Sequence, residues 1–197
     1  IEPDYFICNN GAVVFDENLK EIYSRFINKE DLLTVSTYIL NNYEGAISLS
    51  EEMSKIGIKP IFGENNEKDY KNLIHLREAE NINKVYQIHK RFKDEKMTKV
   101  LEVDLNSKFN GKIVAYANSH NVDIVAYGVN KSSAIKFLEE RLRDVDKVIT
   151  MGDSYNDLKM VLDYNGYMIA SSKEEILKIA PKVIESVDLC LELVSKD

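Results

Sequence analysis

The sequence has no tryptophan, three prolines, eight glycines and two cysteines among 197 residues. Cys8 and Cys190 stand alone in apolar surroundings. That excludes a disulfide framework and suits reduced core side chains in a cytoplasmic protein. His75, His89 and His120 lack the spacing of a metal site and read as surface or strand residues. No serine sits in a nucleophile elbow, and no glycine-rich phosphate loop is present. No apolar run nears the ~20 residues that cross a bilayer, and the start carries no secretory pattern. Positive charge is also short, with 26 Lys and Arg against 33 Asp and Glu and a net charge of −7. Nonspecific nucleic-acid binding needs a basic face, so the balance argues against it. An acidic cleft holding a divalent cation fits, as does a solvated acidic surface.

Apolar residues make up 44% and charged residues 30%, which is ordinary for a globular chain able to bury a sizeable core. Residues 5–8 read as a buried strand ending in the turn Asn9-Asn10-Gly11, and Ala12 to Phe15 as a second strand with a hairpin partner over 21–26. Leu32, Val35, Ile39 and Leu40 stripe a helix over 30–42, and a strand follows over 45–49. The polar tract 63–72 predicts a loop or helix start. Val85 to Phe92 alternates, with Tyr86, Ile88 and Phe92 on one side, as in an antiparallel strand. A helix over 94–105 and a strand over 112–118 complete a middle segment of α+β character.

The last third changes pattern. A strand over 122–126 and a turn at Gly128 precede a helix striped by Ala134, Ile135, Leu138 and Leu142. Strands over 147–151, 166–170 and 182–185 then alternate with helices over 155–163, 173–179 and 188–195, which predicts βα units on a parallel sheet. The expected fold is α/β, a Rossmann-like core formed by residues 1–16 and 121–197, with an α+β insertion over 17–120.

The richest stretch is Val148-Ile-Thr-Met-Gly152-Asp153-Ser154-Tyr155-Asn156-Asp157. An apolar strand feeds a glycine, and three metal- or phosphate-capable side chains follow where open α/β sheets place their ligands. Asp153 suits Mg²⁺, which takes one or two carboxylates with water and phosphate oxygens. Capping of the next helix is its alternative, and Ser154 is the better cap. Asn156 and Asp157 share a face of the first helical turn. Asn156 could donate to a phosphate oxygen, and Asp157 could fix a basic side chain or a metal-bound water. Favourable first-turn acidity is the plainer reading. Lys131 opens a helix behind the cap Asn130. A cation at that end is electrostatically awkward unless it reaches into an anionic site.

The pair Tyr127-Gly-Val-Asn-Lys131-Ser-Ser-Ala and Gly152-Asp153-Ser-Tyr-Asn156-Asp157 resembles the haloacid dehalogenase-like hydrolases, in the Cof-type sugar-phosphatase branch. The opening Asp4-Tyr-Phe-Ile-Cys-Asn-Asn10-Gly11-Ala12 is similar to that branch's strand and turn before its cap. The resemblance implies a Rossmann-like core with an α/β cap and Mg²⁺-dependent hydrolysis of a small phosphate ester through an aspartyl-phosphate. It implies that Lys131 neutralises the nucleophile and the transferring phosphoryl group, that Asp153 binds the metal, and that Asn156 and Asp157 support phosphate, lysine and metal water. Asn10 falls on the substrate-binding side. Tyr86, His89, Arg91 and Tyr116 are cap residues placed to face either a ligand or their cross-strand neighbours.

The family's Asp-x-Asp-Gly-Thr nucleophile motif is absent from these residues. Asp144-Val145-Asp146 has its spacing but ends a predicted helix and lacks the Gly-Thr. The chain starts with Ile1 and runs almost directly into a strand. The expectation is that the nucleophile lies in a preceding segment and that this chain alone is inactive. A non-catalytic metal- and phosphate-binding module and a sugar phosphomutase are the alternatives. Substrate identity and oligomeric state are not encoded in any readable pattern.

Overall fold

The computed structural model describes residues 2–51, 54–63, 73–143 and 145–194. They divide into two compact units, residues 1–129 and 130–197. In the first, β1 (Tyr5–Cys8), β2 (Val13–Asp16) and β3 (Glu21–Ser24) form an antiparallel sheet in that order. The turn between β1 and β2 is Asn9-Asn10-Gly11, with all three residues at positive φ (49°, 57° and 97°). Asparagine and glycine are the residues that tolerate this region.

Next come α1 (Lys29–Asn42), β4 (Ile47–Glu51), β5 (Ser54–Ile58), β6 (Leu73–Ile74), β7 (Gln87–Arg91), α2 (Lys96–Lys108), β8 (Ile113–Asn118) and β9 (Asn121–Ala126). Asn28 caps α1 by accepting from the Asp31 amide at 2.9 Å. The strands make one sheet of order β6-β5-β4-β7-β9-β8, antiparallel except at β5–β6.

Period-2 alternation splits this sheet chemically. Ile47, Leu49, Ile88, Ile113, Ala115, Val122 and Ile124 form one core with Leu32, Val35, Ile39 and Leu40 of α1 and Leu101 and Leu105 of α2. Val114, Tyr116 and Val125 instead pack with Ala12, Val13 and Phe15 of the small sheet. Tyr86 belongs to this second cluster, whereas Ile88 belongs to the first. The expectation that they share a side fails because regular β7 pairing starts only at Gln87.

Lys90 is fully buried in β7. Its ammonium donates to the carbonyls of Glu44, Gly45 and Ala46 at 2.6, 2.8 and 3.3 Å. These lie just beyond α1, so the lysine satisfies backbone acceptors that the helix end leaves over. Burial pushes its pKa down to about 8, against a partial rise from the Glu44 charge.

The second unit is an α/β unit of α3 (Lys131–Arg141), β10 (Met151–Gly152), α4 (Tyr155–Asp163), β11 (Tyr167–Ile169), α5 (Glu174–Leu177), β12 (Lys182–Ile184) and α6 (Val187–Val194). Its strands are parallel, in the order β10-β11-β12. Met160, Val161, Met168 and Ile176 form its core, joined by Ile135 and Leu158. Gly166 lets β11 approach closely, since a Cβ there would lie 2.1 Å from Thr150 Oγ1.

The sequence reading differs in further places. Residues 121–126 belong to the antiparallel six-stranded sheet, because Val122 and Ile124 complete its core. Residues 5–16 fall in the same compact unit as that sheet, the unit that ends at Val129. The strand expected over 147–151 is only Met151–Gly152. Strands β5 and β6 went unread, since Lys55, Gly57 and a two-residue pairing carry little apolar pattern. Of the loop expected over 63–72, residues 64–72 lie outside the described residues, as does Asp144. No helix among the described residues is long and apolar enough to cross a membrane.

The Lys90 site predicts a pH effect. The folded chain releases this proton near pH 8, the unfolded chain near the ordinary ~10.4. Between those values the unfolded chain binds more protons, so stability rises with pH. From pH 8 to about 9 Lys90 contributes a gain of about 1 kcal/mol. Urea unfolding at both pH values measures it, and in Lys90→Met this increment is absent.

Candidate active site

The end of β10 and the start of α4 build the site. Asn130 caps α3 by accepting from the Ser133 amide at 2.9 Å, and the Ser133 hydroxyl accepts from the Asn130 amide at 3.2 Å. This capping box starts α3 at Lys131. The Lys131 ammonium meets Asp157 Oδ1 at 2.5 Å. Asp157 is 5% exposed, and its other oxygen accepts from the Asp153 amide at 3.2 Å and the Ser154 hydroxyl at 3.1 Å.

Gly152 makes this arrangement possible. A Cβ at that position would lie 2.2 Å from Asp157 Cβ and 2.8 Å from Cγ. The glycine is therefore needed for close approach of the Asp157 side chain to the strand end. A second link joins the helices: Ser132 Oγ donates to Asp163 Oδ2 at 2.5 Å. The Lys159 and Ser132 hydrogen bonds hold the Asp163 carboxyl below the usual range against its slight burial.

Ser154 occupies the N-cap position of α4 but makes no cap hydrogen bond. Its hydroxyl instead donates to Asn156 Oδ1 at 2.5 Å and to Asp157. The expected Ser154 side-chain cap is thus replaced by contacts to two other site residues. Asn156 is half-buried, with its carbonyl oxygen used by Ser154. Asp153 is exposed, and its carboxylate makes no hydrogen bond or ion pair among the described residues.

The structure therefore brings Lys131, Asp153, Asn156 and Asp157 together in the second unit. Asp157 pairs with the lysine. Asp153 is left as an open carboxylate at the carboxyl end of a parallel strand, the kind of hard oxygen ligand Mg²⁺ accepts. No group of three metal-capable side chains occurs among the described residues, so Asp153 would be one ligand beside water and phosphate oxygens.

Asn10 lies in the first unit. Its amide donates to Gln87 Oε1 at 2.9 Å and Asp123 Oδ2 at 3.2 Å. Asp123 Oδ1 lies 2.9 Å from His89 Nδ1, and His89 Nε2 lies 2.7 Å from Ser50 Oγ. Sequence reasoning missed Ser50, Gln87 and Asp123. Their only signal was polarity at alternating positions of strands otherwise rich in apolar residues. Tyr86 is buried and donates to Glu21 Oε2 at 2.5 Å. Tyr116 donates to the Val129 carbonyl at 3.0 Å, and burial pushes its pKa up to about 12. These two tyrosines serve the structure. Arg91 is exposed, with no side-chain partner among the described residues.

Parallel βα units with a lysine–aspartate pair behind an open strand-end aspartate make this an α/β unit. The chain belongs to the haloacid dehalogenase-like hydrolases, whose family model matches residues 1–189. Among curated relatives, a Mycoplasma capricolum protein of undefined activity is 27% identical over 198 residues, covering 89% of this chain and 71% of its own length. Sucrose-phosphatase 2 of Nicotiana tabacum is 26% identical over 164 residues, covering 77% of this chain. This chain spans only 36% of the tobacco enzyme. The crystal structure of the subclass IIB sugar phosphatase BT4131 superposes with a TM-score of 0.75 at 20% identity, covering 98% of this chain and 76% of that one. That likeness establishes the fold, a Rossmann-like core with a cap domain.

The close approach at Gly152 predicts a cost. In Gly152→Ala the new methyl must displace Asp157, lowering stability by about 1–3 kcal/mol. Urea unfolding measures the loss. A change below about 0.5 kcal/mol, the level of an ordinary surface substitution, contradicts the packing argument.

Proposed function

We propose that this chain carries the lysine and metal-binding part of a Mg²⁺-dependent phosphatase acting on a small phosphorylated metabolite of the sugar-phosphate class. The observation that carries the reading is the Lys131–Asp157 pair beside the open Asp153 carboxylate. Family membership and a relative named as a sucrose-phosphatase support the substrate class. Phosphoryl transfer depends mostly on positioning and charge stabilisation, which a cation, a lysine and oriented donors supply.

In this reading Lys131, fixed by Asp157, offsets charge on the phosphoryl group and on the attacking carboxylate. Asp153 holds Mg²⁺, which neutralises phosphate oxygens when bound. Asn156 orients a phosphate oxygen, and Asn10 belongs to substrate binding. The attacking aspartate is supplied from outside these 197 residues, since no Asp-x-Asp-Gly-Thr occurs in them. The second unit serves as the catalytic core and the six-stranded sheet as its cap.

The test uses the protein with an Asp-x-Asp segment ahead of residue 1, assayed for phosphate release from a panel of sugar phosphates. Release should require Mg²⁺, and Lys131→Ala and Asp153→Asn should each lower kcat by about 10²–10³-fold. No release across the panel, or release indifferent to both substitutions, overturns the proposal. Transfer to a second sugar position in place of free phosphate identifies a phosphomutase. Calorimetry showing Mg²⁺ and phosphate binding without turnover identifies a non-catalytic module.

A further inference from the structure

Where α1 runs into β4 and β7 runs into α2, the first unit carries an open cleft of about 1120 Å³. None of the residues assigned to phosphate chemistry lines it. Its floor is the Glu44–Ala46 turn, whose carbonyls point to the buried Lys90 ammonium. The Gly45 amide also donates to the Phe62 carbonyl at 3.0 Å. Gly63, at φ +86°, packs so closely on Glu44 that a Cβ would lie 2.7 Å from the Glu44 Cβ. These contacts fix the floor before any ligand arrives, and preorganisation of this kind lowers the cost of binding.

The walls are aromatic. Tyr43 and Phe92 meet edge to face at 6.1 Å, and Phe62 leaves 44% of its surface exposed. Two cations, Arg91 and Lys93, and the imidazole of His120 line the same cleft. His120 Nδ1 lies 3.2 Å from the Phe92 carbonyl, which fixes the ring beside that strand end. Arg91 stands out. Gln87 and His89, on the same face of β7, are tied into hydrogen bonds with Asn10 and Asp123. The Arg91 guanidinium has no partner among the described residues, although it borders a cleft that also contains Glu44 and Asp94.

An exposed aromatic ring and an uncommitted guanidinium over a rigid floor suit a ligand with a planar ring at one end and an anionic group at the other. Aromatic faces stack on bases without regard to sequence, and the arginine fork matches phosphate geometry. We propose that this cleft, lined by none of the residues assigned to phosphate chemistry, is a second ligand site that binds a nucleoside monophosphate. The base lies against Phe62 and Tyr43, and the phosphate is met by Arg91 with Lys93.

The test is isothermal titration of the whole protein with AMP in EDTA, so that Mg²⁺-dependent binding elsewhere is suppressed. One equivalent should bind with a Kd below about 1 mM. Arg91→Ala should weaken it by about tenfold or more, the range for losing a charge-assisted hydrogen bond. Phe62→Ala should weaken it too, and Lys131→Ala should leave it unchanged. Adenosine alone and inorganic phosphate alone should each bind at least about tenfold more weakly than AMP. Both substituted side chains are exposed, so unchanged thermal unfolding is expected for both variants. Absence of binding, retention of full affinity in Arg91→Ala and Phe62→Ala, or loss in Lys131→Ala overturns the proposal. The last outcome would place AMP at the phosphate-ester site and leave that function intact.

Discussion

The close packing of the Asp157 side chain on Gly152 is the constraint from which the rest of the second unit follows. It brings one carboxylate under the end of β10, where a backbone amide, a hydroxyl and an ammonium from a different helix converge on it. The ion pair links α3 to α4, and the Ser132–Asp163 hydrogen bond repeats that link further along. A lysine in the first turn of a helix opposes the helix dipole. Here the opposing field is offset by a buried carboxylate, so the ammonium is held in one place rather than left in solvent.

This arrangement divides the acidic cluster into unlike parts. Asp157 is buried and consumed by the lysine, Asn156 is engaged by Ser154, and Asp153 alone faces outward with its carboxylate open. Three polar residues within five positions would repel or compete if they shared one environment. The strand-to-helix turn separates them by direction. The turn therefore presents one open carboxylate and one lysine held in position by Asp157. Preorganisation of that kind is what the proposed phosphoryl transfer would chiefly require.

The sequence made this unit legible because its signals are local. Asn130 marks the start of α3, and the Gly-Asp-x-x-Asn-Asp spacing places its side chains through the first helical turn. The exceptions were the strand, of which only Met151–Gly152 forms, and Ser154, whose hydroxyl donates to Asn156 and Asp157 and accepts from no helix amide. The first unit was harder to read because its important contacts are distant in sequence. Asn10 meets Asp123, 113 residues away, and Ser50 meets His89, 39 residues away. Strand 121–126 looks from its apolar run like any buried strand, and only its pairing with β7 and β8 assigns it to the antiparallel sheet. Lys90 was invisible for a related reason: a lysine in a strand reads as exposed until three carbonyls from another segment are placed around it.

The six-stranded sheet shows how a chain uses its two faces differently. On one side both helices cover a continuous apolar core, which fixes strand register because a one-residue slip would turn every side chain over. On the other side no helix contributes to the cluster, and Ser50, Gln87, His89 and Asp123 hydrogen-bond across three strands, with Asn10 reaching in from the β1–β2 turn. Three consecutive residues at positive φ aim that asparagine. Packing alone would not require such a turn, since a tighter hairpin could join β1 to β2. The conformation is explained by the position it gives the Asn10 amide, between a glutamine oxygen and an aspartate oxygen. Satisfied polar networks of this kind hold side chains in single orientations more strictly than apolar contacts do. The polar face is thus ordered by its own hydrogen bonds, and the apolar face supplies the cohesion on which that ordering depends.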